Sequence, residues 1–471
     1  MNGTFAAALA AALLAGCATA PARTAEDTAA KEPSSFVADP YASTYAPPPA
    51  PPMLLVGATV LTGTGSRLDN ADVLMRDGRI VAVGTGLEAP EGTTRVDASG
   101  KWVTPGIIDI HSHLGVYPSP GMRAHSDGNE ATSPVTANVW AEHSVWPQDP
   151  GFDAARAGGI TSLQILPGSA NLIGGRGVTL KNVPARTYQA MKFPGAPWGL
   201  KMACGENPKR VYGQKGGPST RMGNVAGYRA AFIDAAEYRQ KRNKARGKGE
   251  GEDKSKRDLE LDTLAGVLEG EILVHIHCYR ADEMATMLDL AEEFGFHVSA
   301  FHHGVEAYKI ADKLAEAGTC GALWADWWGF KMEAYDGIQE NIALVDAAPG
   351  GCAIVHSDSE EGIQRLNQEA AKVMAHAKAI GMRIAPEHAI RWLTQNPAKA
   401  MGILGQTGTL EAGKMADVVL WNRDPFSVYA QAERVWIDGA LRYDRADAAR
   451  RHRSDFLLGQ DALGQRTGGA R

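Results

Sequence analysis

Eight short apolar runs, spread through residues 103–400 and separated for the most part by helix-like stretches, constrain the fold of this 471-residue chain more than any other feature. They fall at Gly106–Ile110, Ile160–Leu166, Gly177–Lys181, Trp198–Ala203, Ile272–His277, His297–Phe301, Cys320–Trp324 and Ala353–His356. Runs this short suit strands buried on both faces. Eight β/α units predict an α/β protein with a closed (β/α)8 or TIM barrel rather than an open sheet. In such a barrel the chemistry gathers at the C-terminal strand ends, which is where reactive side chains are to be sought.

The barrel region is flanked by β patterns. MLLVGATVLTG from Met53, ADVLMRDGRIVAVG and TTRVDASGKWVTPG carry β-branched residues between glycines, with Asp77-Gly78 as a hairpin turn. Asp417–Trp421 and Val435–Gly439 repeat the pattern near the other end. Residues 53–102 and 401–445 are therefore expected to form one small composite β-sandwich, with the barrel of residues 103–400 inserted in it. Residues 446–471 read as a polar tail. The charged stretch 226–262 reads as a solvated excursion, either a plain surface insertion or a lid.

The first 52 residues look like an address. Phe5–Gly16 is apolar but too short to span a bilayer, so it suits the core of a secretory signal. Leu14-Ala15-Gly16-Cys17 resembles a bacterial lipobox, although no Lys or Arg precedes the run. Residues 1–17 are thus expected to be a lipoprotein-type signal, and the Pro- and Ala-rich residues 18–52 a tether. The expected location is a bacterial cell envelope, facing the periplasm, with membrane contact only through the lipid. A net charge of -6 offers no field for nucleic acid. Five cysteines are too few for a disulfide scaffold. Export would permit a Cys204–Cys278 or a Cys320–Cys352 bridge, with buried free thiols as the default.

The strand ends carry the chemistry. The first run leads into His111-Ser112-His113, whose alternate residues aim two imidazoles at one point. The fifth ends in His275-Ile276-His277, the sixth in His302-His303, and the eighth in His356-Ser357-Asp358. This concentration, out of 13 histidines in the chain, points to a metal site at the barrel mouth. There is no HExxH, which disfavours a zincin protease.

TPGIIDIHSH, together with LTQNPAKAMGI and GTLEAGKMADVVLW near the end, resembles the amidohydrolase superfamily of metal-dependent hydrolases, nearest its imidazolonepropionase-like and prolidase-like members. The resemblance implies a (β/α)8 barrel with a β-sandwich and one or two divalent ions, zinc foremost. It places His111, His113, His277 and His303 as ligands. Asp358 becomes both a ligand and the acceptor of a proton from the attacking water, leaving His275, His302 and His356 as supporting or packing residues. The fourth-strand ligand is open in this family. Lys201, as a carboxylated lysine, and Glu206, as a direct carboxylate, both qualify, and Glu206 is preferred for its place at the strand end.

The expected reaction is hydrolysis of a cyclic or peptide-like amide in a small molecule or short peptide. The alternatives are an N-acyl deacetylase with one metal on Glu206, or a silent envelope binding protein; a homo-oligomer is compatible with all three. On the substrate side, Arg176 in the glycine-rich Ser169–Gly177 segment could clamp an anion. Tyr279, Arg280 and Glu283 follow His277, while Lys209, Arg210 and Tyr212 follow Glu206. Trp324, Trp327 and Trp328 could offer an apolar wall.

Overall fold

A computed structural model describes residues 36, 39–119, 121–247 and 256–447. The expected signal, residues 248–255 of the charged stretch and residues 448–471 lie outside the described residues. The chain first lays down β1 (Met53–Leu61), β2 (Arg67–Arg76), β3 (Arg79–Gly84), β4 (Thr94–Asp97) and β5 (Trp102–Pro105). Asp77 and Gly78 join β2 to β3 with φ of 51° and 74°, the left-handed pair that a two-residue hairpin turn requires.

The next eight strands are β6 (Ile107–Ser112), β7 (Ile160–Ile165), β8 (Ile173–Lys181), β9 (Gly199–Ala203), β10 (Leu273–Cys278), β11 (Val298–His303), β12 (Cys320–Leu323) and β13 (Ala353–Val355). They form one sheet in sequence order, a nearly closed barrel. Ser357 and Asp358 bring β13 back to β6. The Asp358 amide donates to the His111 carbonyl at 3.0 Å and the Ser357 amide to Asp109 Oδ1 at 3.2 Å. Gly106 allows the chain to enter the barrel, since a Cβ there would lie 2.0 Å from Thr161 Oγ1. Finally β14 (Val418–Trp421), β15 (Ala432–Ile437) and β16 (Ala440–Asp444) return to the first sheet, where β14 pairs with β5. Both chain ends thus build one separate sheet around Val60, Val73, Val103, Val418 and Trp436.

The third barrel strand departs from the regular pattern. β8 runs antiparallel to both β7 and β9. Only residues 166–172 join β7 to β8, too few for the crossover that a parallel neighbour needs. Lys181 consequently sits at the end of the barrel away from the histidines. Its ammonium lies 3.0 Å from both Asp417 and Asp438, which links barrel to outer sheet.

Three further expectations change. The four described cysteines are paired, Cys204 with Cys278 and Cys320 with Cys352, rather than free. Each pair joins neighbouring strands at one level, where the Cα atoms come within 5.2 and 4.6 Å. The charged stretch is no free lid over its described part. Residues 226–247 belong to the helix Arg221–Gly247, which buries Tyr228, Phe232 and Ala235 in the barrel's outer core, and residues 259–262 open the helix Leu259–Leu268. Residues 39–52 are likewise tied down rather than loose. Asp39 pairs with Lys192 at 2.9 Å, Ser43 Oγ donates to the Lys192 carbonyl at 2.6 Å, and Tyr45 Oη donates to Asp438 at 2.6 Å. Among the described residues no helix is long and apolar enough to cross a membrane.

Candidate metal centre

β6 carries His111 to the barrel rim, and His113 follows on the same face. The turn after β13 brings Asp358 beside them. His111 Nε2 and His113 Nε2 lie 3.3 Å apart, and Asp358 Oδ1 stands 3.2 and 3.1 Å from them. A tetrahedral ion with ligand bonds of about 2.0–2.2 Å has ligand–ligand edges of roughly 3.3–3.6 Å, so these three atoms form one face of such a polyhedron to within about 0.2 Å. His113 Nδ1 donates to the Leu166 carbonyl at 2.8 Å, which leaves the Nε2 lone pair turned inward. His111, His303 and Asp358 also form a group whose ligand atoms lie within 4.8 Å of one another.

Lys201 rises from β9 into the same space. Its Nζ lies 3.5 Å from His111 Nε2 and donates to the Pro167 carbonyl at 2.9 Å. The side chain is wholly buried, and burial pulls its pKa down to about 8. His277 and His303 face each other with ring centres 4.6 Å apart. His303 Nδ1 is buried without a hydrogen-bond partner among the described residues and stands 3.8 Å from Asp358 Oδ2. That orphaned nitrogen beside a carboxylate is what a cation would satisfy. His303 and Asp358 both adopt left-handed backbone, with φ of 73° and 53°. Each such residue costs on the order of 1–3 kcal/mol, and strain of this kind gathers at functional sites.

The electrostatics favour a cation. Burial holds His111, His277 and His303 well below the usual imidazole range, so the rings are neutral, the form that ligates. Enclosure works to raise the Asp358 pKa, but His303 and His113 outweigh it and hold the carboxylate well below its usual range. Asp109, buried behind His111, is pushed up to about 7 by burial despite hydrogen bonds from Ser357 and the His111 amide.

The residues expected from the sequence divide. His111, His113, Lys201, His277, His303 and Asp358 converge. Glu206 is not brought into the group. It opens the helix Glu206–Tyr212 after Gly205, and its carboxylate turns to Lys331 at 3.3 Å. Arg176 offers no clamp to the site. It is buried between Trp140 and Trp198, 4.3 and 5.0 Å from their ring centres, and donates to Thr263 Oγ1 at 2.8 Å. Arg280 is exposed and paired with Asp282 at 2.8 Å. Glu283 pairs with Arg221 at 3.0 Å, and Tyr212 Oη accepts from Asn171. Tyr279 does line the site, its ring 5.6 Å from that of His303. Trp324 stacks on His303 at 4.2 Å, whereas Trp327 and Trp328 are exposed.

Several neighbours carried no sequence signal. Lys331 reaches in from the loop after β12 to lie 4.0 Å above the Tyr279 ring. Asn207 donates to His277 Nε2 at 3.2 Å, and Ser169 Oγ lies 2.9 Å from His277 Nδ1. Asp109 had a usable signal, since it precedes His111 by two and so shares its face of β6.

Comparison with known proteins identifies the family. A model described as the amidohydrolase family matches residues 348–443. The crystal structure of an amidohydrolase from Thermotoga maritima MSB8 aligns with a TM-score of 0.77 and 37% identity, over 83% of this chain and 100% of that one. Amidohydrolase tasK of Hapsidospora irregularis is 34% identical over 401 residues, 79% of this chain; the chain spans only 40% of that relative's length. An imidazolonepropionase of a Bradyrhizobium species is 26% identical over 415 residues, 78% of this chain and 93% of its own. With 37% identity to an amidohydrolase whose whole length it covers, the chain belongs to the amidohydrolase superfamily of hydrolases.

Proposed function

We propose that this hydrolase is metal-dependent and cleaves a carbon–nitrogen bond, a cyclic or peptide-like amide, in a small molecule or short peptide. The observation that carries the reading is the triangle of His111 Nε2, His113 Nε2 and Asp358 Oδ1, with edges of 3.1–3.3 Å. One or two divalent ions, zinc foremost, would be held by His111, His113 and Asp358 on one side and by His277 and His303 on the other. Lys201 is proposed as the shared ligand in place of Glu206, supported by its burial and its 3.5 Å approach to His111. A lysine pulled down to about 8 is partly neutral near physiological pH, the form that would add carbon dioxide and, on releasing a proton to solvent, leave a carbamate able to serve as a metal ligand.

The bound ion supplies Lewis acidity and lowers the pKa of water toward neutrality. Asp358, ionised and with 23% of its side chain still open, takes the proton from the attacking water on a carboxylate oxygen and returns it to the leaving nitrogen. Tyr279 and Trp324, both nearly buried against His303, wall the substrate and exclude water. Export to the cell envelope, with a lipid on Cys17, is proposed on the leader sequence and is supported by two disulfides, which persist in oxidising compartments.

Metal analysis combined with turnover on N-acyl amino acids, dipeptides and cyclic imides tests the reading. Stoichiometric metal and turnover of an amide are expected. Metal without turnover on any of the three classes would favour a binding role instead, and turnover confined to acetyl groups would favour a deacetylase.

A further inference from the structure

Barrel lumens are usually packed with branched apolar side chains. Here a polar chain crosses the lumen behind the metal centre. His111 Nδ1 lies 2.8 Å from His302 Nδ1, His302 Nε2 lies 3.0 Å from His275 Nδ1, and His275 Nε2 lies 3.4 Å from the Gln164 amide nitrogen. The four residues come from β6, β11, β10 and β7, and each is fully buried. We propose that His302, His275 and Gln164 are positioning residues: they form a polarised hydrogen-bond chain that fixes the tautomer and ring orientation of His111 toward a divalent ion. This rests on the metal-hydrolase reading.

The argument is one of donor and acceptor accounting. A neutral imidazole has one N–H and one lone pair, and a bond between two ring nitrogens needs one of each. Three rings in series therefore have only two self-consistent polarities. In one, the hydrogens sit on His111 Nδ1, His302 Nε2 and His275 Nε2, and the His111 Nε2 lone pair is free for a metal. In the other, every hydrogen bond reverses and His111 Nε2–H points at Asp358 Oδ1, 3.2 Å away. A cation at His111 Nε2 selects the first polarity, because a ligating nitrogen carries no hydrogen.

The selected polarity ends with His275 Nε2–H aimed at Gln164, which must then present its oxygen. Gln164 Oε1 is buried and has no hydrogen-bond partner among the described residues. A half-turn of the amide exchanges oxygen and nitrogen at almost no steric cost and lets Oε1 accept from His275.

The test uses the full chain and zinc, with dissociation constants from competition against a chromophoric chelator. His302→Phe, which keeps a ring but removes the acceptor, is expected to weaken zinc binding by about 10–100-fold, whereas His302→Asn, whose amide oxygen replaces Nδ1, stays within about threefold of the parent. Gln164→Leu weakens binding, and Gln164→Glu, a pure acceptor at the chain's end, binds at least as tightly as the parent. Nitrogen-15 NMR of histidine-labelled, zinc-loaded parent protein should place the His302 hydrogen on Nε2, a readout that needs no variant to fold.

A His302 hydrogen found on Nδ1, or parental zinc affinity in both His302→Phe and Gln164→Leu, overturns the proposal. If the parent binds zinc and turns over an amide while neither variant moves, only the positioning chain falls. If the parent binds no divalent ion, the hydrolase reading falls with it.

Discussion

Lys181 and Asp358 stand at opposite ends of the barrel, and each is a charged group among buried polar partners. At the Lys181 end the accounting closes. The ammonium is fully buried and meets two carboxylates at 3.0 Å, Thr407 Oγ1 donates to Asp417 at 2.7 Å, and Tyr45 donates to Asp438 at 2.6 Å. At the Asp358 end it does not close. One carboxylate faces three imidazoles, and His303 Nδ1 has no hydrogen-bond partner among the described residues. A closed cluster fastens two domains together. An open one, converging and under-satisfied, is arranged for a cation and a substrate that complete it.

Substitutions should break this contrast in order of size. Asp358→Asn is expected to lower turnover by about 10²–10⁴-fold, measured by steady-state kinetics, because it removes the proton acceptor. A variant with near-parental turnover would take the acceptor role from Asp358. Lys181→Met should cost about 3–5 kcal/mol of stability by urea unfolding, since it leaves two buried carboxylates without their counter-ion, yet leave metal content per folded molecule unchanged. Loss of metal in that variant would mean that the two ends are not independent.

Tyr45→Phe sharpens the same end with a smaller change. It removes one hydrogen bond to a buried carboxylate and should cost about 2 kcal/mol in the same unfolding assay. A neutral result would show that residues 39–52 do not fasten the outer sheet. Glu206→Gln is the smallest. Its side chain is 34% exposed and paired across the rim with Lys331, so a stability change of about 0–1 kcal/mol is expected, with metal retained. Lys201→Ala, by contrast, should lose metal. Metal loss in Glu206→Gln, with retention in Lys201→Ala, would return the fourth-strand ligand to Glu206.

Much of the architecture was legible because it is local. The runs for β6, β9, β10 and β11 announce themselves by continuous apolar character, and Asp77-Gly78 announces its turn. The direction of β8 was harder to see. Its apolar run reads the same either way, and only the short link 166–172 betrays the reversal. Arg176 looked like an anion clamp beside flexible glycines. Yet a Cβ on Gly175 would lie 2.4 Å from the Val139 carbonyl, so the segment is a packed strand and the guanidinium is sandwiched by tryptophans.

At the site itself, strand-end position singled out His111, His113 and Asp358, but the choice between near neighbours escaped the pattern. Glu206 lies five residues beyond Lys201, and both read as plausible carboxylate donors, one direct and one by modification. Gly205, at φ 80°, turns the chain out of the strand and carries Glu206 toward Lys331, a residue distant in sequence. The pairing of Cys204 with Cys278 depended in the same way on which strands lie side by side.

The sequence by itself determined where strands end and which of those ends carry imidazole and carboxylate, because apolar runs and side-chain chemistry are properties of single segments. Only the tertiary structure decided which nitrogen faces which. Hydrogen-bond polarity along His111, His302, His275 and Gln164, and the satisfied charge around Lys181, arise between strands that meet only once the barrel has closed.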